Sequence, residues 1–73
     1  MDEIKKSIWS SRVLNAVGRL SAETMLDLAV RRDLLRVTGL AGDELDEILR
    51  DLEDRGFIQT GPTINDTYIR LKK

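Results

Sequence analysis

The stretch from residue 40 to residue 58, LAGDELDEILRDLEDRGFI, constrains the fold more than any other part of the chain. Four aliphatic residues in it recur at helical spacing and form one apolar stripe: Leu45, Ile48, Leu49 and Leu52. Gly56 is placed to end this helix, and Phe57 and Ile58 begin a β-prone segment. The pattern predicts an amphipathic helix that buries one face and passes directly into a strand.

A β-hairpin is predicted to follow that helix. The residues YIRL at positions 68–71 alternate in type, as expected for a strand that returns beside the one starting at residue 57. Between the two strands the segment QTGPTINDT contains several turn-forming residues: Gly61, Pro62, Asn65 and Asp66. We therefore expect a hairpin over residues 57–71.

The beginning of the chain is predicted to be a helix over residues 2–20. An apolar stripe runs along it through Trp9, Val13, Ala16, Val17 and Leu20. Trp9 suits the core better than an interface. Ile4 and Ile8 point away from this stripe at about 100° per residue. Either the first two turns pack loosely, or these isoleucines form a second contact surface, for example with another copy of the chain.

Residues 21–38 carry two apolar sets that one straight helix could not bury together. The sequence therefore predicts a break near residues 30–32 and a short helix over residues 33–38, after which Gly39 suits a left-handed backbone. Residues 22–30 could form a helix or a short strand, and their composition favours a helix with Ser21 as its N-cap. Asp43 is the predicted N-cap of the next helix, with Leu40 filling the turn before it.

The segments DLLRVTGL and DELDEILRDLEDRGFI, followed by the hairpin to YIRL, resemble the winged helix-turn-helix superfamily, particularly MarR-like small regulators. The resemblance implies an α+β, mostly α fold with about three helices followed by a β-hairpin wing. It implies one domain over residues 1–73: a first helix at 1–20, a helix-turn-helix at 31–56 and a wing at 57–71. An unrelated small α+β domain is the alternative.

Several classes of function are disfavoured by what the chain lacks. It contains no Cys and no His, which excludes disulfides, a conventional zinc site and the usual near-neutral catalytic base. No phosphate-cradling glycine motif is present. No apolar run is long enough to cross a bilayer, and the first residues do not form a signal peptide. We expect a cytoplasmic protein that is not an enzyme, uses no cofactor or metal and does not enter a membrane.

The charge of the predicted recognition helix opposes the function that the resemblance implies. Residues 41–55 hold seven acidic and two basic side chains, a net charge of −5. If the apolar stripe faces the core, five charged residues face outward: Asp43, Asp46, Glu47, Arg50 and Asp54. Four of these five are carboxylates, and duplex DNA carries one negative charge per about 1.7 Å of axis. Deep insertion of this helix into a DNA groove is therefore unfavourable.

Basic residues elsewhere could still contact phosphates. The predicted nucleic-acid-binding set lies around the short helix, on the recognition helix and at the end of the hairpin: Arg31, Arg32, Arg36, Arg50, Arg70, Lys72 and Lys73. The wing tip at residues 60–67 is the part that would reach a minor groove, yet it contains no Lys or Arg. The alternative for each basic residue is an ordinary role in solubility and helix-end electrostatics.

Three functions remain open at this point. The resemblance favours a regulator that binds double-stranded DNA, and such a regulator is expected to form a homodimer through its first helix. The charge favours a protein-interaction module whose acidic residues meet a basic protein partner: Asp43, Asp46, Glu47 and Asp54. A DNA mimic is the third interpretation, which the interspersed arginines weaken. Fold analogy alone does not decide among them. DNA binding is the first interpretation, because the wing, the first helix and a dimer partner can supply contacts that the acidic helix cannot.

Overall fold

A computed structural model describes residues 2–72, and Met1 and Lys73 lie outside the described residues. Within these described residues, three helices and three short strands follow one another: α1 (Glu3–Ala22), β1 (Ala29–Val30), α2 (Arg31–Thr38), α3 (Gly42–Asp54), β2 (Ile58–Pro62) and β3 (Thr67–Leu71). This is an α+β, mostly helical fold with a winged-helix-like layout, as predicted.

Helix α1 begins where Asp2 caps it, because the Asp2 carboxylate accepts a hydrogen bond of 2.8 Å from the Lys5 backbone N–H. Its predicted inner face is confirmed, with Val13 and Val17 fully buried. The helix is longer than expected and ends at Ala22. Ser21 is therefore buried inside α1, and its predicted role as an N-cap is wrong.

Residues 22–30 do not form the helix that their composition favours. After α1 the chain turns through Asp27, whose φ of 56° lies in the left-handed region, and then forms strand β1. Ala29 is buried and pairs with Ile69 of β3. The strand alternative is the one found, because pairing with β3 satisfies backbone groups that a helix would have satisfied locally.

The helix-turn-helix is close to the predicted one. Helix α2 begins at Arg31 and ends before Gly39, whose φ is 72°. Helix α3 begins at Gly42, so the prediction of Asp43 as N-cap is wrong. The Glu44 carboxylate instead accepts a 3.3 Å hydrogen bond from the Ala41 backbone N–H, which is half of a capping box.

The three strands form one antiparallel sheet in the order β1-β3-β2. The predicted hairpin pairs Thr60 with Ile69, and the third strand is the short strand that the sequence left as the second alternative for residues 22–30. One face of the sheet packs against the helices, and their shared core is aliphatic: Val13, Val17, Leu34, Leu45, Ile48, Leu52, Ile58 and Ile69. The buried stripe of α3 is confirmed in full.

Candidate nucleic-acid interface

The outward face of α3 carries the charged residues that the sequence placed there. All five are exposed: Asp43, Asp46, Glu47, Arg50 and Asp54. Their exposure follows from the burial of the opposite face of the helix in the core. The electrostatic character of this face then depends on which of its carboxylates already have partners within the chain.

Asp46 is bound by Arg31. The Arg31 Nε donates to one Asp46 carboxylate oxygen at 2.8 Å, and a terminal nitrogen of the same guanidinium donates to the other at 3.1 Å. That nitrogen also lies 3.3 Å from the carbonyl oxygen of Gly42. The hydrogen bond to Asp46 raises the pKa of Arg31 and outweighs the effect of partial burial. The first residue of α2 is therefore joined to the middle of α3.

Glu53 is bound by the wing. Its carboxylate accepts hydrogen bonds from the Thr60 hydroxyl at 2.6 Å and from the Thr60 backbone N–H at 3.0 Å. Both bonds favour the ionised form and so hold the pKa of Glu53 below its usual value, and the bond from the hydroxyl has the larger effect. The carboxylate thus connects the third helix to strand β2.

Another group of carboxylates on α3 lies near cations of α1 and of the helix end. The Lys6 ammonium is 3.9 Å from the carboxylates of both Glu47 and Asp51. The Arg55 Nε lies 3.1 Å from the other oxygen of Asp51. Ion pairs this exposed are weak individually, but they offset part of the negative charge that the sequence assigns to α3.

A groove of about 310 Å³ lies between α3 and the wing. Its charged lining residues balance, since Arg31 and Arg50 are matched by Asp46 and Glu53. Both carboxylates are hydrogen-bonded within the chain, whereas Arg50 has no carboxylate partner among residues 2–72. The hydroxyl-bearing Thr60 and Thr67 complete the lining. The groove can therefore present one available guanidinium to an anion.

The other predicted basic residues lie at separate places. Arg32 is next to the wing loop, where its backbone N–H donates to Asp66 at 3.2 Å and its Nε is 3.8 Å from the same oxygen. Arg36 pairs with Asp33 at 3.4 Å and lies beside α1. The structure brings Arg31 and Arg50 together and leaves these two apart from them.

The two described basic residues at the end of the hairpin lie away from this groove. Arg70 is exposed, and it pairs across the sheet with Gln59 on the face opposite to the buried Ile69. Lys72 follows the strand and its backbone N–H donates to the Phe57 carbonyl at 3.0 Å. Lys73 lies outside the described residues. The predicted set thus divides among the α3 groove, α2 and the outer face of the sheet.

The predicted binding residues do not include Glu53, Thr60 or Thr67, although Thr60 and Thr67 bound the predicted wing tip. No sequence signal marks them, because the helix and strand that carry them meet only in the folded chain. Comparison with family models, with curated proteins and with solved structures found no match for the chain. None of the described helices is long and apolar enough to cross a membrane. Within residues 2–72 no group of three or more acidic side chains is arranged to hold a metal ion.

Proposed function

We propose that this chain is a cytoplasmic DNA-binding winged-helix protein, a transcription regulator, that contacts phosphates beside α3 without inserting that helix deeply. Its function is then binding, with no catalytic step and no cofactor. One observation carries it: both carboxylates of the groove between α3 and the wing are bonded internally, which leaves Arg50 available.

The paired carboxylates change the electrostatic objection to DNA binding. Asp46 accepts two bonds from Arg31, so an approaching phosphate meets a neutral pair instead of a single negative charge. Glu53 is hydrogen-bonded by Thr60 and held in place on the wing side, although it keeps its negative charge. Arg50 can then contribute a charge-assisted hydrogen bond to a phosphate oxygen.

Further phosphate contacts can come from exposed basic residues outside this groove. The Arg32 side chain is 79% exposed, and an ion pair at 3.8 Å can exchange its carboxylate for a phosphate at little cost. Arg70 and Lys72 have no carboxylate partner among the described residues. Phosphate contacts of this kind position a protein on DNA and carry little sequence information.

The remaining carboxylates limit how far α3 can enter a groove. Asp43 and Asp54 are exposed and have no partner in the described part of the chain, and Glu47 is only weakly paired. Bringing these groups among phosphates is repulsive, so we propose a shallow approach with modest sequence preference.

Binding is tested by fluorescence anisotropy of a labelled DNA duplex at low and at moderate salt. We expect micromolar or tighter affinity at low salt and a steep fall as salt rises. Arg50→Gln should reduce the slope of log affinity against log salt concentration by about 0.9, the value of one phosphate contact. Lys5→Gln is the matched control, because Lys5 is exposed on α1 and has no described side-chain partner. Absence of binding at low salt would remove the proposal.

Exposed Ile4 and Ile8 support the homodimer expected of such a regulator. They are 77% and 50% exposed on the first turns of α1, which are helical from Glu3 onward. Replacement of both by Ser should lower the mass measured by sedimentation equilibrium from that of a dimer to that of a monomer. A monomeric unmodified chain would remove the dimer without affecting the groove.

The unpaired carboxylates of α3 favour a second candidate, a protein-interaction module. A basic partner could meet Asp43 and Asp54 with electrostatically steered association. The double variant Asp43→Lys with Asp54→Lys distinguishes the two functions. It should strengthen duplex binding if α3 lies near phosphates, and it should abolish binding of a basic Lys-rich peptide if the acidic face is the interface.

A further inference from the structure

A second groove, larger than the first, lies between α1 and the C-terminal end of α2. Its volume is about 580 Å³ and it is open to solvent. Residues of both helices line it, most of them on one stripe of α1: Trp9, Arg12, Asn15, Ala16, Arg19, Leu20, Glu23, Arg36, Val37 and Thr38. Only Arg36 of this set belongs to the basic residues predicted to contact nucleic acid.

The floor of this α1–α2 groove is apolar. Ala16 is buried, and Trp9 and Leu20 are partly buried against the core. Val37 of α2 is 54% exposed, although Leu34, one turn earlier in the same helix, is fully buried. The floor therefore offers apolar surface that nothing in the described chain covers.

The rim of the groove is cationic. Arg12 and Arg19 have no carboxylate partner among residues 2–72, and Arg36 has an exposed pair with Asp33 at 3.4 Å. The single carboxylate in the lining is Glu23. Three guanidiniums against one carboxylate give the groove the opposite sign to the outward face of α3.

We propose that the α1–α2 groove binds an acidic amphipathic helix of a partner protein. From Trp9 to Glu23 the stripe extends about 21 Å along α1, the length of about 14 helical residues. Apolar side chains spaced by one helical turn would cover Trp9, Leu20 and Val37. Carboxylates on either side of that stripe would meet the three arginines.

Three other occupants fit this groove less well: a small molecule, a nucleic-acid base and helix α3 of a second copy. A groove open to solvent does not enclose most of a small molecule, as ligand pockets do. The Arg12 guanidinium lies 4.9 Å from the centre of the Trp9 ring and covers one of its faces, which reduces the surface for stacking a nucleic-acid base. Helix α3 of a second copy cannot supply the apolar stripe, because that stripe is buried in its own core.

The fluorescence of Trp9 gives a direct test, because it is the only tryptophan of the chain. The probe is a side-chain-stapled helical peptide of about 14 residues with Leu at positions i, i+3, i+4 and i+7 and Glu on the flanks. A peptide of identical design with Lys in place of Glu is the control. We expect a saturable change of Trp9 emission with the Glu peptide and none with the Lys peptide.

Variants of the protein assign the binding to the groove. Arg19→Glu combined with Arg36→Glu should lower the affinity for the Glu peptide by at least about tenfold, because two charge-assisted contacts become repulsive. Arg70→Glu with Lys72→Glu is the matched control, since it makes the same charge change on the sheet and should alter affinity by less than about threefold. Val37→Ser should weaken binding without changing its salt dependence. Circular dichroism checks that each variant retains the helices.

Three results would overturn the proposal. One is equal affinity for the Glu and the Lys peptide. Another is equal loss of affinity in the groove variants and the sheet variants. The third is a change of Trp9 emission with protein concentration alone that Arg19→Glu abolishes, since this would make a second copy of the chain the occupant.

Discussion

The Arg31 guanidinium is bonded to both carboxylate oxygens of Asp46, at 2.8 and 3.1 Å, across 15 positions of sequence. This pair joins the start of α2 to the middle of α3, the two helices of the helix-turn-helix. It also withdraws one cation from the set that the sequence offered to phosphates. The same contact therefore stabilises the helix-turn-helix and lowers the positive charge that this motif can offer to DNA phosphates.

Asp46→Asn should release Arg31 for phosphate binding. We expect the log–log salt slope for duplex DNA to steepen by about 0.9. Loss of this exposed ion pair should lower the free energy of unfolding by at most about 1 kcal/mol. Asp43→Asn removes the same charge from the same helix without breaking a bond, so it should affect DNA affinity without destabilising the fold. Urea unfolding and salt-dependent anisotropy measure both effects, and identical behaviour of the two variants would contradict the role of the pair.

Alanine should have opposite effects at two glycines. Gly39 has a φ of 72°, where an L side chain is strained, so Gly39→Ala should cost about 1–2 kcal/mol. Gly18 lies inside α1, and an added Cβ would be 3.8 Å from Cδ1 of Leu71, an ordinary contact. Gly18→Ala should therefore stabilise the fold by about 0.5–1 kcal/mol through a lower entropy of the unfolded chain. Chemical denaturation decides the signs, and a shared sign would refute this interpretation.

Gly61 and Tyr68 are predicted to be coupled in stability. They face each other across the hairpin, and a Cβ at Gly61 would lie 2.6 Å from Cζ and the hydroxyl oxygen of the Tyr68 ring. Gly61→Ala should displace that ring and cost about 1–3 kcal/mol. In a Tyr68→Ala background the same substitution should cost much less. A double-mutant cycle by thermal unfolding tests this, and additive effects would show that the ring does not restrict position 61.

The hydrogen bonds of Glu53 predict a dependence of stability on pH. The pKa of Glu53 is lowered in the folded state, so its contribution is complete above the usual value of 4.5 and is lost as pH falls through the folded pKa. Thr60→Val removes the hydroxyl bond and should raise the pKa of Glu53 towards that usual value. NMR titration of the Glu53 side-chain carbon measures the shift. Thr67→Val is the control, because Thr67 lines the same groove without a described bond to Glu53, and an equal shift there would contradict the assignment.

The helix faces that sequence reasoning placed correctly are those with a long periodic pattern. The stripe through Leu45 and Leu52 places the core face of α3, and that of α1 through Val13 and Val17 does the same. Strand β1 could not be predicted in this way, because a strand of only two residues is too short to show a periodic pattern of apolar residues. It forms a strand because Ala29 pairs with Ile69, a residue that lies far along the chain.

The candidate site was predicted less well than the fold. The outward position of Asp43 and Arg50 follows from helical geometry, and the structure agrees. The partners of the charged groups do not follow from it, since the Arg31–Asp46 and Glu53–Thr60 contacts join different elements. Charge counted along a segment therefore overstates the repulsion that a phosphate meets at the folded surface.

The strand order β1-β3-β2 has a consequence for how the protein is made. Both outer strands precede β3 in the chain, and each forms its backbone ladder with β3 alone. When the ribosome has synthesised residues only up to the hairpin turn, the three helical segments and two strands are present, but both strands lack their partner β3. The sheet can close only when the segment Thr67–Leu71 has left the exit tunnel. Formation of the sheet therefore has to wait for β3, the last of its three strands to be synthesised.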